Sequence, residues 1–359
     1  MQLKTWLQAY EKEDFSMRFP TFLSTALFSA AAILCIASPV YAAESDSTEA
    51  DAAADTSAYY SLINDGGSWD GTHYTLDGQI INNSFFFDGT YTYYLQYDGT
   101  PMKDRLTYHP DGEHIIYFDE DGHEVFDQYA HITTSIAGDE VDDLCYFNTY
   151  GYMYVDVLTW DATGSVIFYI NPCGVIETDC FVTFSNSVQW ADGASAEVYH
   201  GGLGYCSEYG FLVCDAWGYD LQNQLLYFQS GGLAVYPPKD ENAIAKMIAD
   251  SCSNGMETDL DRVSAAAEVV AFICSHDNYT MKGDYYDTAY GVFVKGEYSC
   301  AGSTRALGLV LDYMGYAWTH ENEHLYTHQW NILVMDGQIG YADGMAGVAG
   351  YGEHFYNSL

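Results

Sequence analysis

Three residues within the last sixty positions have the types and the order that thiol catalysis requires. Cys300 stands in Gly-Glu-Tyr-Ser-Cys-Ala-Gly-Ser, His328 in Thr-His-Gln-Trp-Asn, and Asp343 in Gly-Tyr-Ala-Asp. A thiol becomes an effective nucleophile when a base removes its proton, and the base works best when a third group orients its ring. The sequence therefore predicts Cys300 as the nucleophile, His328 as the general base and acid, and Asp343 as the orienting carboxylate.

A helix must begin at the cysteine if this chemistry is to work. Helical periodicity predicts an α+β domain over 240–359, with one helix over 301–314, so that Cys300 falls at its start. The unpaired N–H groups and positive dipole at a helix start favour a thiolate and can hold an oxyanion. Thr258 or Asp259 is predicted to cap an earlier helix. Apolar residues repeat at helical spacing in two earlier segments: Ile244, Met247, Ile248, then Val263, Ala266, Ala267, Val270, Ile273 and Cys274.

Two strands are predicted to carry the other two side chains. Apolar runs at 329–335 and 339–341 flank Asp336-Gly337, a pair typical of a tight hairpin turn. His328 then opens the first strand and Asp343 ends the second. An antiparallel pair places these two positions at the same end of the sheet.

A metal site is the competing interpretation of the histidines. On a helix, His320, His324 and His328 would lie on one face, as zinc ligands do. The segment 319–327 has little apolar periodicity, however, and this favours a loop between two strands. We therefore expect neither a metal nor another cofactor.

Residues 67–236 are rich in Tyr, Phe, Gly and Asp, and they repeat a short turn unit. Each unit runs from an aromatic residue to a glycine: Tyr94–Gly99, Tyr117–Gly122, Tyr146–Gly151, Tyr169–Gly174, Tyr199–Gly204 and Tyr227–Gly232. A second aromatic turn lies between some units: Tyr108–Gly112, Trp160–Gly164 and Trp190–Gly193. An aromatic strand followed by a glycine that can take positive φ predicts a hairpin. The recurrence predicts a β-solenoid-like array of stacked β-hairpins.

The N-terminal region predicts export followed by a tether. Residues 1–42 contain basic residues, an apolar run and small residues suited to cleavage, which together indicate a signal peptide. A retained membrane anchor is the alternative, and Met17 is an alternative start to Met1. Residues 43–66 are rich in Ala, Ser, Asp and Glu and predict an acidic flexible linker.

The charge balance excludes one class of partner. The formal net charge is −40, from 51 acidic and 11 basic residues. Such a surface repels phosphate, so we expect no nucleic-acid binding. The charge is typical of a solubility adaptation in a secreted protein, and cation binding is the alternative.

The cysteines admit disulfides if the protein is exported. Nine are present, and Cys35 leaves with the predicted signal peptide. Cys145 is predicted to be free, as is the reactive Cys300. Closeness in sequence favours three pairs: Cys173–Cys180, Cys206–Cys214 and Cys252–Cys274.

Residues 243–344 resemble a transglutaminase-like domain, the papain-related fold of many secreted bacterial proteins. Four motifs carry the resemblance: Tyr290-Gly-Val-Phe293, Gly296-Glu-Tyr-Ser-Cys300, His328-Gln-Trp-Asn331 and Tyr341-Ala-Asp343. The resemblance implies a cysteine-protease fold over 240–359 with the same three catalytic residues. The chain departs from the family after Asp343, where Gly344-Met345-Ala346 replaces a Thr-Trp-like sequence.

The hairpin units are similar to cell-wall-binding repeats of the choline-binding and glucan-binding type. That family combines an aromatic strand, an Asp/Asn-x-x-Gly turn and a second strand, and its aromatic side chains form shallow sites for wall polymers or glucans. The alternative is that these rings mainly pack one hairpin on the next. The resemblance implies five ligand-binding residues: Tyr108, Tyr117, Trp160, Tyr169 and Trp190.

These expectations combine into one function with three alternatives. We expect a secreted, multidomain protein of the cell wall or cell surface that acts as a cysteine protease or amidase on a protein or peptide, held at a wall polymer or glycan by its repeats. The first alternative is an acyltransferase that cross-links proteins. The second is a noncatalytic wall-binding module with a decayed triad, and the third is a surface protein whose array only spaces a partner from the wall.

Overall fold

The computed structural model describes residues 66–161, 164–192, 200–253, 255–325 and 327–358. They form two compact units, divided between Leu212 and Val213. The predicted signal peptide and all but the last residue of the predicted linker lie outside the described residues, as does the alternative anchor. Within the described ranges, no helix combines the length and the apolar character that a membrane crossing needs.

The first unit is a series of short hairpins. A three-stranded sheet, β1-β2-β3, is followed by the antiparallel pairs β4–β5, β6–β7, β8–β9, β10–β11 and β12–β14, and β13 pairs parallel to β10. The bounds are β1 Ser68–Trp69, β2 Tyr74–Leu76, β3 Gln79–Ile80, β4 Ser84–Phe87, β5 Thr92–Leu95, β6 Arg105–Tyr108, β7 Ile115–Phe118, β8 Gln128–Thr134, β9 Glu140–Phe147, β10 Val157–Trp160, β11 Ile167–Ile170, β12 Cys180–Thr183, β13 Gln189–Trp190 and β14 Leu203–Cys206. The predicted series of hairpins is confirmed.

Backbone hydrogen bonds join consecutive hairpins. After the glycine turn of a hairpin, the chain adds a short segment that donates an N–H to a carbonyl of the preceding hairpin. These bonds are 2.7–2.8 Å long and run from Glu124 to Thr92, Met153 to Ile115, Ile176 to Leu144, and Leu212 to Ile167. Each hairpin therefore depends on its immediate neighbour, which is the arrangement of a solenoid.

A residue in the left-handed conformation starts every hairpin from β4 onward in this unit. These residues have φ between 44° and 55°: Asn83, Asp104, Asp127, Asp156 and Asp179. Asp and Asn tolerate this backbone better than other non-glycine residues. In three hairpins the aspartate also accepts a tyrosine hydroxyl from the second strand, at 2.6–2.8 Å: Tyr117 to Asp104, Tyr146 to Asp127, and Tyr205 to Asp179.

Five of the six predicted turn glycines have positive φ: Gly99, Gly122, Gly151, Gly174 and Gly232. The prediction for the fifth unit is wrong. Gly204 lies within β14, and the glycine turn that follows this strand uses Gly210 (φ 79°) instead, because the aromatic strand is shifted along the chain. Tyr199, which was predicted to open this unit, lies outside the described residues, as does Gly193 of the second turn type.

The second unit combines one hairpin sheet, three α-helices and a four-stranded antiparallel sheet in the order β20-β21-β22-β23. The bounds are β15 Ala216–Tyr219, β16 Leu225–Phe228, β17 Ala234–Val235, α1 Glu241–Ser253, α2 Asp259–His276, β18 Asn278–Tyr279, a π-helix Gly291–Lys295, β19 Glu297–Tyr298, α3 Cys300–Met314, β20 Trp318–Glu321, β21 Trp330–Met335, β22 Gln338–Asp343, β23 Val348–Tyr351 and a 3₁₀ helix Phe355–Ser358. Helices packed with an antiparallel sheet confirm the predicted α+β class.

One continuous apolar core fills this unit. Ile248 of α1, Val270 of α2, Leu307 of α3 and Leu333 of β21 all belong to it. The cap of α2 is Thr258, whose Oγ1 accepts the N–H of Asp261 at 3.1 Å. Of the two capping residues that the sequence allows, the structure therefore selects the first.

The hairpin sheet β15–β17 belongs to this core. Trp217 is fully buried in it and donates its Nε1–H to Ser251 Oγ of α1 at 3.1 Å. Tyr219 and Tyr227 pack against the same core. The sequence places residues 213–236 with the repeat array, whereas in the structure they pack on the helices.

The predicted disulfides are wrong. Cys173, Cys180, Cys206, Cys252 and Cys274 are in no disulfide, so none of the three predicted pairs forms among the described residues. Strand pairing places Cys206 opposite Cys180, not beside Cys214. Closeness in sequence is a poor guide here, because the β12–β14 hairpin brings together residues as far apart in sequence as Cys180 and Cys206.

Candidate active site

Cys300 is the first residue of α3, where the sequence places it. Ser299 caps the helix: its Oγ accepts the N–H of Gly302 at 3.4 Å, and its carbonyl accepts the N–H of Ser303 at 2.9 Å. The cap leaves the N–H groups of Cys300 and Ala301 for another acceptor beside the thiol. These two donors are placed to stabilise an oxyanion.

A glycine lets a neighbouring loop close over the helix start. A Cβ on Gly302 would lie 2.4 Å from the carbonyl oxygen of Tyr286, so a larger residue would push the loop away. Ser299 Oγ also donates to this carbonyl at 3.1 Å. The loop thereby becomes a fixed wall beside Cys300.

His328 lies between the cysteine and the aspartate. Its Nε2 is 2.5 Å from Asp343 Oδ2. Hydrogen bonding to Asp343, and then to Cys300, raises the pKa of His328 to about 9. Because Asp343 engages Nε2, Nδ1 is the nitrogen available to exchange a proton with Cys300. The structure thus brings together the three residues that the sequence predicts.

The turn after β22 holds the Asp343 carboxylate. Its Oδ1 accepts the backbone N–H groups of Met345 and Ala346, at 2.9 and 3.0 Å. Complete burial opposes ionisation, but the hydrogen bonds from His328 and from these N–H groups outweigh it, so the pKa of Asp343 lies below its usual value. The carboxylate is therefore charged at neutral pH.

Packing explains why a glycine follows Asp343 in the sequence. A Cβ on Gly344 would lie 2.8 Å from the carbonyl oxygen of Ser303, and 3.0 Å from side-chain atoms of Leu307 and Val270. Only glycine fits between α2 and α3 at this position. Gly344 thus allows this turn to dock on α3.

The residues after His328 tie β21 to the rest of the site. Asn331 is fully buried and donates through Nδ2 to the Thr304 carbonyl of α3 at 3.1 Å. Trp330 is also buried, and its ring stacks on His354 with 4.4 Å between centroids and 15° between planes. The motif therefore sets the distance between the helix that carries the cysteine and the strand that follows the histidine.

The three-histidine zinc arrangement does not form. His320 lies in β20 with its Nε2 2.7 Å from Gln329 Oε1, and His324 lies in the following turn. No helix among the described residues contains these positions, in accordance with their weak apolar periodicity.

A second possible metal site consists of His328, Asp343 and His354, each of which offers one ligand atom. These three atoms lie within 4.8 Å of one another. The 2.5 Å between His328 and Asp343 is a charge-assisted hydrogen-bond distance. Atoms that share a tetrahedral zinc ion at about 2.0–2.2 Å lie further apart than this, at roughly 3.3 Å. The geometry fits a hydrogen-bonded chain.

A cavity of about 620 Å³ opens onto Cys300 and His328. Aromatic and apolar side chains form much of its wall. Arg305 in the wall is paired with the Asp287 carbonyl and with Glu323 at 3.3 Å. This wall suits an uncharged amide chain better than a phosphorylated ligand. The aromatic and apolar residues of the cavity wall include Tyr279, Met281, Tyr286, Leu325, Phe355 and Tyr356.

The predicted ligand-binding aromatics of the array divide into two groups. Tyr117 and Tyr169 are buried and serve the packing of the hairpins. Tyr108 and Trp160 are 58% and 46% exposed. Trp190 is buried, and its ring stacks on Trp160 with 5.7 Å between centroids. The Trp160–Trp190 pair therefore presents an indole face that a ligand can reach.

Histidines cover some of the other aromatic faces in the array. His123 stacks on Tyr91 with 3.7 Å between centroids, and His114 stacks on Tyr152 with 4.0 Å. Each stack links one hairpin to the next. These faces are occupied within the chain, which leaves the tryptophan pair as the better ligand surface.

The chain is similar to several solved structures at low identity. The choline-binding domain of CbpL from Streptococcus pneumoniae aligns over 47% of this chain and 86% of that domain, with 18% identity and a TM-score of 0.26. Choline binding protein F from the same organism aligns over 47% of this chain and 46% of its own, with 14% identity and a TM-score of 0.30. Truncated alternansucrase from Leuconostoc mesenteroides aligns over 45% of this chain and 12% of its own, with 16% identity and a TM-score of 0.21.

This chain thus spans less than half the length of the second protein and about an eighth of the third. No family model matches the sequence, and no curated protein matches it significantly.

Sequence reasoning missed His354. This residue follows β23, and its Nε2 lies 3.2 Å from Asp343 Oδ2. The predicted strands end near Asp343, so no predicted element brings His354 back to the site. Val348 and Tyr351, residue types common in strands, follow the Gly347 turn and were the available signal for a fourth strand.

Proposed function

We propose that this protein is a secreted, cell-surface cysteine hydrolase of the transglutaminase-like type that cleaves amide bonds in a protein or peptide. The observation that carries the proposal is His328, which bonds to Asp343 through Nε2 and lies beside Cys300 at the start of α3. A helix start, an imidazole and a buried carboxylate in this order are the parts that thiol catalysis uses.

In the proposed reaction, His328 first takes the proton of the Cys300 thiol. The thiolate attacks the amide carbonyl carbon, and the resulting oxyanion accepts the N–H groups of Cys300 and Ala301. The imidazolium gives its proton to the leaving amine as the C–N bond breaks, which leaves a thioester. His328 then deprotonates a water molecule that hydrolyses the thioester, and the thiol is restored. Asp343 stays ionised throughout and holds Nε2 of the ring.

The alkylation rate of Cys300 between pH 4 and 9 tests the catalytic half of the proposal. Peptide-resolved labelling with iodoacetamide allows Cys173, an exposed free cysteine, to serve as the comparison thiol in the same sample. We expect Cys300 to react rapidly well below the pH of about 8.5 at which a free thiol ionises, and His328→Ala to abolish this. Equal pH profiles for the two cysteines would leave the noncatalytic module as the better interpretation.

Product analysis separates hydrolysis from acyl transfer, because both reactions form the same thioester. Once a peptide substrate is found, the reaction is run with and without a primary amine. A free carboxylate as the main product supports the hydrolase. An amide with the added amine as the main product would replace it with the cross-linking acyltransferase.

The array is proposed to hold the enzyme at a wall polymer or glycan through Trp160. Cation–π attraction of a quaternary ammonium to an indole face contributes about 0.5–2 kcal/mol, and a sugar ring could stack on the same face. We expect Trp160→Ala to reduce sedimentation with purified walls at least about twofold. Tyr313→Ala, which removes a ring of matched exposure (45%) from α3, should have no effect. Equal sedimentation of the two variants would favour an array that only spaces its partner.

A further inference from the structure

His354 adds a second buried ring to the carboxylate of the site. It is almost completely enclosed, stacked on Trp330, with Tyr341 at its edge, 4.5 Å between centroids. Its Nε2 lies 3.2 Å from Asp343 Oδ2, the same oxygen that His328 engages. The proposed reaction uses only one histidine, so the second needs an explanation of its own.

Hydrogen bonds determine which nitrogen of His354 is protonated. The backbone N–H of Tyr356 donates to Nδ1 at 3.1 Å. A backbone N–H can only donate, so Nδ1 must be the unprotonated acceptor. Nε2 then carries the proton and donates to Asp343.

The two histidines on this carboxylate also have opposite charge preferences. Burial lowers the pKa of His354, whereas hydrogen bonding to Asp343 raises that of His328. Asp343 Oδ2 therefore receives one neutral donor and one charged donor.

We propose that His354 is a positioning residue that, as a neutral Nε2–H donor, holds Asp343 Oδ2 in line with His328 and shares the charge of that oxygen. The inference rests on the proposed function, since it assigns His354 to the same triad. Two donors on one oxygen compete, and removing one strengthens the bond to the other. Loss of the His354 donor should therefore make Asp343 hold the His328 proton more tightly.

Few other ionisable groups surround His354. Asp343 and Tyr341 face it from β22, and His328 faces it from the segment before β21, whereas Tyr356 of the 3₁₀ helix contacts it through its backbone N–H. Trp330 and Phe355 complete the enclosure with uncharged rings. Asp343 and His328 are thus the groups whose charge His354 affects at neutral pH.

The test is an NMR titration of the His328 ring in the full chain. His354→Phe keeps a ring to stack on Trp330 but removes the donor, and we expect it to raise the His328 midpoint by about one pH unit. His354→Gln offers a side-chain N–H in place of Nε2, and it should leave the midpoint within about 0.3 unit. His114→Phe is the matched control, because His114 also stacks on an aromatic ring, Tyr152, but in the array.

An unchanged midpoint in a folded His354→Phe protein would overturn the inference, as would equal shifts in the Phe and Gln variants. If His354→Phe does not fold, nitrogen-15 spectra of the wild type at pH 7 decide the matter. A neutral His354 ring protonated on Nε2 supports the inference, and protonation on Nδ1 or on both nitrogens overturns it.

This titration is independent of the alkylation test. An ordinary, unactivated Cys300 in a protein whose His328 midpoint still responds to His354 would remove the proposed function and keep the hydrogen-bond coupling. If Cys300 is activated but the His328 midpoint does not respond to substitution of His354, the hydrogen-bond coupling is removed and the proposed function is kept.

Discussion

The hairpin array, which is the first unit, and the helical unit, which is the second, differ in their cores and in where they bury polar groups. In the array, the apolar residues form separate small clusters, such as that of Tyr74, Phe86, Tyr93 and Leu95. The helical unit has one continuous core, and beside it lies a concentrated set of buried polar residues: Ser299, Ser303, Thr304, Gln329, Asn331, Asp343 and His354.

The difference determines which unit can enclose a charged, hydrogen-bonded group. A buried polar group costs free energy unless its hydrogen bonds are satisfied, and a charged one costs more. A stack of hairpins has neighbours on two sides only, whereas a helical core with a sheet can surround a carboxylate. Asp343 is enclosed in this way and accepts four donors.

The largest expected effect tests whether catalysis depends on the helical unit and not on the array. Replacing His328 by Ala should lower the rate of amide hydrolysis at least about 10³-fold, because the base and the proton donor are lost together. His131→Ala, which removes an exposed histidine of the array, should leave the rate unchanged. A His328→Ala rate within tenfold of the wild type would contradict the assignment.

The next effect concerns the buried carboxyl group of Asp277 in the helical unit. Asp277 Oδ2 is buried, and within the described residues it has no hydrogen-bond partner. Burial raises the pKa of Asp277 to about 7. The unfolded chain releases this proton near pH 4, so stability is lost as the pH rises from about 4 to 7.

Asp277→Asn removes that loss. We expect the free energy of unfolding at pH 8 to increase by up to about 4 kcal/mol, with little change at pH 4. Urea unfolding at both pH values measures it, and Asp142→Asn at an exposed site is the control. An equal effect at the two pH values would show that Asp277 is not protonated in the folded protein.

A core substitution in the array should show whether the two units are independent. Phe147 is fully buried and stacks on Tyr117 with 5.8 Å between centroids. Phe147→Ala should cost the array about 3 kcal/mol through the lost contacts and the cavity. Alkylation of Cys300 should keep its wild-type pH profile, and Tyr108→Ala should cost under about 0.5 kcal/mol. A changed Cys300 profile would mean that the units are coupled.

The smallest effect concerns the tyrosine–aspartate bond that recurs in the array. Tyr117→Phe removes the hydroxyl that donates to Asp104, and we expect a loss of about 1 kcal/mol by urea unfolding. Tyr97→Phe, at an exposed turn position, should cost nothing measurable. Equal effects of the two substitutions would show that the Tyr117–Asp104 hydrogen bond does not contribute to stability.

Much of the fold could be predicted because its signals are local. The start of α3 at Cys300 and the tight turn at Asp336-Gly337 follow from helix periodicity and turn chemistry. Five turn glycines were identified by their place after an aromatic strand. The register of the fifth hairpin was not, because both Gly204 and Gly210 follow aromatic segments and only strand pairing distinguishes them.

The hairpin array, the α+β unit and the order of Cys300, His328 and Asp343 could all be predicted from the sequence, because each depends on neighbours a few residues away. Three features follow from packing alone: residues 213–236 pack on the helices, Cys206 faces Cys180, and His354 reaches Asp343. These depend on which distant segments share a core. Backbone periodicity specifies the elements, but the packing of their faces selects the partners.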